Sequence, residues 1–222
     1  VSRWATFDCY GTLIDWDGGI RTTLARLWPR GDAEGLLSRY HEVEPAVQRE
    51  RPSATYRDVM ATCLRRLAQT EGLVLAPSDE GALGDSLPGW PAHPDAPRAL
   101  AEACRRGWRL AILSNTDRDF LEASVRRLGA PVDELVIASE IGSYKPDHGH
   151  WKVFFERTGA DPARHLHVAA SLFHDIGPAN ELGLRSVWIN RLGERPGRAG
   201  PVPTRELPDL SRLPDTLDEL VP

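Results

Sequence analysis

The chain has 222 residues, with 27 Lys plus Arg against 32 Asp plus Glu, a formal net charge of −5 and 41% hydrophobic residues; this describes one to two globular domains with a substantial core. The mildly acidic balance offers no general attraction to nucleic acid or anionic lipid, and three scattered cysteines (Cys9, Cys63, Cys104) do not make a disulfide framework or a Cys-based zinc site. The opening Val1-Ser2-Arg3-Trp4 lacks a signal-peptide stretch, and no run reaches the ~18 apolar residues of a membrane span, so a cytoplasmic location without membrane partners is expected.

Residues 4–8, Trp-Ala-Thr-Phe-Asp, read as a short buried strand ending in the polar turn Cys9-Tyr10-Gly11-Thr12. Residues 16–90 hold amphipathic helical stretches at 20–28, 33–50, 54–71 and 79–86 and no clear strand. Pro88, Pro91 and Pro94 mark a return to alternating strands and helices. Strands are expected at 108–113, 135–138, 166–170 and 186–190, with helices at 95–106, 117–128, 147–158 and 175–182. Gly107, Gly129, Gly159 and Gly183 stand as C-caps. A weak strand near Glu206-Leu207 and a last helix at 211–220 follow a Pro- and Gly-rich tail from Gly193. This alternation predicts an α/β, Rossmann-like parallel sheet. The core domain is expected over 1–15 and 91–222, with a helical cap domain, 16–90, inserted after the first strand.

Ligands of open α/β sheets bind beyond the carboxyl ends of the strands. At that edge the sequence places Asp8 and Thr12, then Ser114 and Asn115, then Ser143-Tyr144-Lys145-Pro146, then Ser171, His174 and Asp175. Each alone is ordinary loop chemistry, and Asp175 also suits a helix cap. Lys145 stands out because 25 of the 27 basic residues are Arg, which points to a need for a compact ammonium there.

Phe7-Asp8-Cys9-Tyr10-Gly11-Thr12-Leu13, Leu113-Ser114-Asn115-Thr116, Tyr144-Lys145-Pro146-Asp147 and Asp175 resemble, in order, the four motifs of the haloacid dehalogenase superfamily, over nearly the whole chain. Most members are magnesium-dependent phosphatases whose first motif has a second Asp, but here that position is Tyr10, and Ala170 stands where the fourth motif usually begins with an acid. Asp8 and Asp175 alone make a poor octahedral oxygen shell, so no metal and no cofactor is expected.

The Asp-x-Tyr-Gly-Thr start and the Ser-Tyr-Lys-Pro loop resemble the 2-haloacid dehalogenase branch, in which halide leaves without needing a proton. The resemblance implies that Asp8 displaces halide from C2 of a small 2-haloalkanoic acid to form an ester. Water then hydrolyses the ester at the Asp8 carbonyl carbon, and a 2-hydroxy acid forms with inversion. It further implies that Lys145 holds Asp8 ionised, that Asp175 handles water, and that Thr12 and Ser114 orient the reacting groups. Arg39, 31 residues after Asp8, resembles the Arg that binds halide and carboxylate, with Asn115 as its partner. Tyr10, Trp151, Ser171 and His174 are the remaining expected contacts of the small-molecule substrate, and a homodimer is compatible with the resemblance.

Departures from the family pattern fall on Ala170, Leu172, His174 and Trp151; they bear on the substrate more than on the nucleophile, and Ser171 or His174 would have to take over water handling. Alternatives are hydrolysis of another carbon electrophile or of a phosphate ester, and a fold kept as a binding module. Among simpler readings, Arg39 pairs with Glu42 or Glu44 on a solvated helix face. Cys9 is a packed thiol, His148 and His150 lie on a helix surface, and His165 and His167 are structural. Trp16, Trp28 and Trp90, like Trp151, pack in the core or line a pocket.

Overall fold

The computed structural model describes residues 2–195 and 200–222; part of the tail expected from Gly193 lies outside them. Six strands form one parallel sheet: β1 (Arg3–Phe7), β2 (Trp108–Ser114), β3 (Glu134–Ile137), β4 (His165–Ala169), β5 (Ser186–Ile189) and β6 (Arg205–Leu207), in the order β3-β2-β1-β4-β5-β6. β1 lies centrally, with Phe7 opposite Ile112 on one side and Val168 on the other. The chain builds outward through β2 and β3, then restarts on the other side with β4. That reversal opens a crevice at the carboxyl end of β1, the usual ligand position in such sheets.

Alternation along the strands separates two apolar layers. Ala5, Phe7, Leu110, Ile112 and Val168 face a large core, while Trp4, Ala111 and Leu113 face a second one with Trp151 and Phe154. Between β1 and β2 run α1 (Trp16–Leu27), α2 (Ala33–Glu50), α3 (Tyr56–Thr70) and α4 (Ala82–Ser86). Asp15, Asp32 and Thr55 cap the first three by accepting from backbone N–H groups of the first turn. Their buried faces, among them Ile20, Leu24, Tyr40, Met60 and Leu64, join the larger core directly. The chain leaves and re-enters the sheet side by side: Asp15 N–H donates to Pro91 O at 2.9 Å, and His93 N–H to Leu13 O at 2.9 Å.

The remaining helices are α5 (Ala96–Arg105), which leads into β2, α6 (Arg118–Leu128) between β2 and β3, α7 (Ala138–Ile141) and α8 (Gly149–Thr158) between β3 and β4, α9 (Gly177–Glu181) before β5 and α10 (Leu213–Leu220) after β6. Several helices differ from expectation: the 20–28 helix starts already at Trp16 behind its Asp15 cap, and α7 is an added turn that begins at Ala138, expected as strand. The 79–86 helix shrinks to the five residues of α4 between 3-10 turns that start at Pro77 and Leu87, because Pro77 and Pro88 favour helix starts rather than interiors. The 175–182 helix begins earlier, as a single π turn over Leu172–Ile176 that precedes α9; such turns are frequent at functional sites. The last helix starts at Leu213, with Pro214 in its first turn. Among the described residues no helix is long and apolar enough to cross a membrane.

Gly19 in α1 lies against the Trp90 ring so closely that an added Cβ would stand 2.2 Å from its Cδ2 atom. Overpacking of this kind costs ~1–3 kcal/mol. Gly19→Ala is therefore expected to lower the calorimetric melting midpoint by roughly 2–4 °C per kcal/mol lost.

Candidate active site

Asp8 follows the last residue of β1 and is anchored by its N–H to Val168 O at 3.1 Å. The turn after it needs the left-handed backbone of Gly11, φ +89°, which swings Thr12 back beneath the carboxylate. Thr12 Oγ1 donates to Asp8 Oδ2 at 2.7 Å and accepts from Ala170 N–H at 2.9 Å. Lys145 arrives from the loop between α7 and α8. Its Nζ donates to Asp8 Oδ1 at 2.9 Å, Asp175 Oδ1 at 2.6 Å and Leu113 O at 2.9 Å, so all three ammonium protons are used. The loop is held by Asn115: its Oδ1 accepts from Lys145 N–H at 2.7 Å, and its Nδ2 donates to Lys145 O at 2.9 Å.

Both carboxylates and the ammonium are buried. Burial pushes Asp8 above the ordinary carboxylate value, with Lys145 and Thr12 opposing and Asp175 adding to the rise. For Asp175 burial acts in the same direction but is outweighed by Lys145 and His167, which hold it well below that value. Burial works against a charged Lys145, yet the two carboxylates raise its pKa and keep it cationic.

His167 Nε2 lies 3.0 Å from Asp175 Oδ1, and Thr6 Oγ1 lies 2.8 Å from both His167 Nδ1 and His165 Nε2. The Thr6 hydroxyl bridges the two imidazoles, and His167 carries the hydrogen-bonded chain on to Asp175. A residue read as merely structural thus touches the site. The available signal was the His-x-His alternation of β4 just ahead of the Asp175 loop. His150 corrects another expectation. It is fully buried rather than on a helix surface, with Nε2 3.1 Å from Ser114 O, while His148 is exposed and pairs with Glu181.

Burial lowers His150 and His165 to about 3 each. Unfolded imidazoles take up a proton near pH 6.5, so between these values the unfolded chain binds more protons. Stability from these groups is full above pH ~6.5 and is lost as pH falls toward ~3. Thermal melting followed from pH 7 to pH 4 is expected to show a falling midpoint.

A cavity of about 390 Å³ opens above Asp8, lined by Tyr10, Ser114, Asn115, Lys145, Ser171, His174 and Asp175 from the sheet side and by Trp16, His41, Glu44, Gln48 and Tyr56 from the helical segment. Its volume is that of a small-molecule site. Ser114 Oγ and Asp175 Oδ2 are buried without a hydrogen-bond partner among the described residues, and both residues line the cavity. Ser171 Oγ accepts from His174 N–H at 3.0 Å and lies 3.1 Å from its Nδ1; burial lowers His174 to about 4. Tyr10 forms wall, its hydroxyl 3.1 Å from Ser124 Oγ and its phenol pushed up by burial.

Two expected contacts are elsewhere. Arg39 is exposed and pairs with Glu42 at 3.2 Å and Glu71 at 3.7 Å. On α2 the cavity is faced by His41, Glu44, Pro45 and Gln48, and Arg39, two residues before His41, is turned about 200° away from that stripe. Trp151 is buried in the core on the opposite face of the sheet, edge-on to His167 at 5.1 Å, because α8 packs there. Arg39→Ala is accordingly expected to leave kcat/KM unchanged within about twofold; a loss of tenfold or more would return Arg39 to the site.

Glu44 is the chief residue missed. Read from sequence as a partner on a solvated face, it is 7% exposed and its Oε1 accepts from the Tyr56 hydroxyl at 2.7 Å. Tyr56 Oη in turn accepts from Trp16 Nε1 at 3.0 Å. Its stripe with His41, Pro45 and Gln48 is visible only as helical periodicity of mixed polarity.

The donor set does not fit magnesium. Both Asp8 oxygens are already bonded, Ala170 brings no side-chain oxygen, and among the described residues no cluster of three or more His, Cys, Asp or Glu is arranged to hold a metal ion.

Comparison with known proteins gives a consistent pattern. Residues 3–183 match the model of the haloacid dehalogenase-like hydrolases. The (S)-2-haloacid dehalogenase 1 of Pseudomonas sp. (strain CBS-3) is 28% identical over 97% of this chain and 96% of its own. A crystal structure of an L-2-haloacid dehalogenase superposes with TM-score 0.88 at 25% identity, over 98% of this chain and 99% of that one. The fold also matches, at TM-score 0.86 and 23% identity over 98% and 99% of the two chains, the L-2-haloacid dehalogenase of Xanthobacter autotrophicus solved with chloropropionic acid covalently bound.

Proposed function

Because the chain belongs to the haloacid dehalogenase-like hydrolases, we propose that it displaces halide from small 2-haloacids through an ester on Asp8. The observation that carries this reading is the Asp8 carboxylate at the end of β1, held by Lys145 at 2.9 Å and Thr12 at 2.7 Å at the floor of the cavity. The full-length similarity to (S)-2-haloacid dehalogenases supports the substrate class. Helical segment 16–90 acts as the cap that closes the cavity from above.

An Asp8 oxygen attacks C2 opposite the carbon–halogen bond. The C–O bond forms as halide leaves with the bonding pair, so no acid is required and Tyr10 suffices where a phosphatase would place one. Inversion at C2 turns an L-haloacid into a D-hydroxy acid. Water next adds to the Asp8 carbonyl carbon, the bond from that carbon to the oxygen now on C2 breaks so that this oxygen leaves with the hydroxy acid, and Asp8 is regenerated with the oxygen of water. Across both steps one haloacid and one water give one hydroxy acid, one halide and one proton. The free oxygen of Asp175 takes a hydrogen bond from that water. Its low pKa makes it a positioning acceptor more than a strong base, and Lys145 stabilises the charge that develops on the Asp8 oxygen. Ser114 Oγ and Ser171 Oγ serve the substrate carboxylate. Asn115 acts mainly by holding Lys145, since both ends of its amide bond that backbone.

The test is halide release from 2-chloropropionate in the presence of EDTA, with chirality of the product read in parallel. Release with inversion supports the reading; no release from any short 2-haloacid sinks it.

A further inference from the structure

The cavity is poorly matched to a substrate whose only charge is a carboxylate. Among the described residues none of the chain's many arginines lines it. Its one lysine has all three protons committed; of its two histidines, burial lowers His174 to about 4, and His41 is bonded through Nε2 to Asp17 at 2.9 Å and stacked on Trp16. Against these stand the acidic side chains of Asp8, Glu44, Asp175 and Glu194 in the lining.

Glu44 is the least explained of the four. Among the described residues no cation is bonded to it, its Oε1 accepts from Tyr56, and it is nine-tenths buried. Burying a carboxyl without a paired cation is costly. The side chain is nonetheless fixed through the relay from Trp16 to Tyr56 to Glu44. Around it stand the aromatic rings of Trp16, Tyr56 and Tyr10, with Tyr10 and Tyr56 stacked at 6.3 Å. A carboxylate set among aromatic faces is the chemistry that recognises an organic cation.

We propose that Glu44, with the faces of Trp16 and Tyr56, forms a subsite for an ammonium group at the non-reacting end of the substrate. The inference rests on the reading of Asp8 as nucleophile toward a haloacid and adds to it: the preferred substrates are short 2-haloacids that carry a second, cationic end. Ser114 Oγ, orphaned on the sheet side, faces the carboxylate end of such a zwitterion, and Glu44 faces the other. Burial pushes Glu44 up to about 7, so a bound ammonium gains a charge partner that is half formed at neutrality and completed by its arrival.

Unreactive ligands separate this from turnover. Binding of 4-aminobutyrate and of pentanoate, which replaces the ammonium by a methyl group, is followed on the unmodified protein by quenching of tryptophan fluorescence. 4-Aminobutyrate is expected to bind at least about tenfold more tightly, and Glu44→Gln, similar in shape, should reduce that ratio to near one with an unchanged melting midpoint. Equal binding of the two ligands by the unmodified protein, or a ratio that survives in Glu44→Gln, overturns the subsite. If Glu44→Gln does not fold, the comparison on the unmodified protein still decides. Halide release from 2-chloropropionate without an ammonium preference would leave dehalogenation standing and remove the subsite. An ammonium preference without halide release from any 2-haloacid would do the reverse.

Discussion

Asp8→Asn is expected to reduce halide release by a factor on the order of 10⁴ or more, because loss of a covalent nucleophile removes the reaction path and not just one contact. The amide keeps the shape of the carboxylate, and its oxygen still accepts from Lys145, so the variant should fold with a melting midpoint close to the parent's. An amide lacks the charge that attacks carbon, and the loss falls on kcat. The same requirement fixes the acid side of the pH profile. Asp8 attacks only when ionised and its pKa is raised above 3.8. kcat/KM should therefore rise with pH through a value above the ordinary carboxylate range.

Lys145→Met should have the second largest effect, on both stability and activity. The ammonium donates to two buried carboxylates and a strand carbonyl. Methionine fills similar space with no charge and no donor. Removing one member of a buried ion-pair cluster costs ~3–5 kcal/mol unless a carboxylate takes up a proton. Asp8 is the one that does so, since Asp175 keeps His167 at 3.0 Å. Loss of a nearby cation raises the Asp8 pKa further, so at any given pH a smaller share of the nucleophile is ionised. The acid limb of kcat/KM should move upward, with residual activity recovering as pH rises. A variant that merely lost packing would melt lower without moving that limb. Lys145→Arg is not expected to rescue, because the planar fork cannot replace a compact ammonium between two carboxylates and a carbonyl.

The strands and the place of Asp8 at the end of β1 were legible because they rest on local signals. Apolar runs of the right length end in Asp8, Ser114 and the Asp175 loop, and the β1-β2-β4 arrangement brings those ends together whatever the details of the helices. Lys145 was legible through its rarity in an Arg-rich chain. The wall above them was not, because it depends on the rotation of α2. Arg39 has the right spacing from Asp8 and the wrong phase, whereas Glu44 has the right phase but stands among Glu42 and other charges that look solvated. Trp151 failed for a related reason, since its position after Lys145 in sequence does not say which face of the sheet α8 covers. His167 and His150 carry their information in buried bonds to Asp175 and Ser114 O, which no spacing rule encodes.

The covalent role of Asp8 is tested most directly by a single turnover in water enriched in oxygen-18, with the protein in excess over 2-chloropropionate. Water that attacks the Asp8 carbonyl leaves its oxygen on the protein, so the peptide containing Asp8 should gain the heavy isotope while the hydroxy acid carries the ordinary oxygen donated by Asp8. A hydroxy acid labelled in that first turnover, with the Asp8 peptide unlabelled, would mean that water attacks C2 itself, and the account of Asp8 as nucleophile would be wrong.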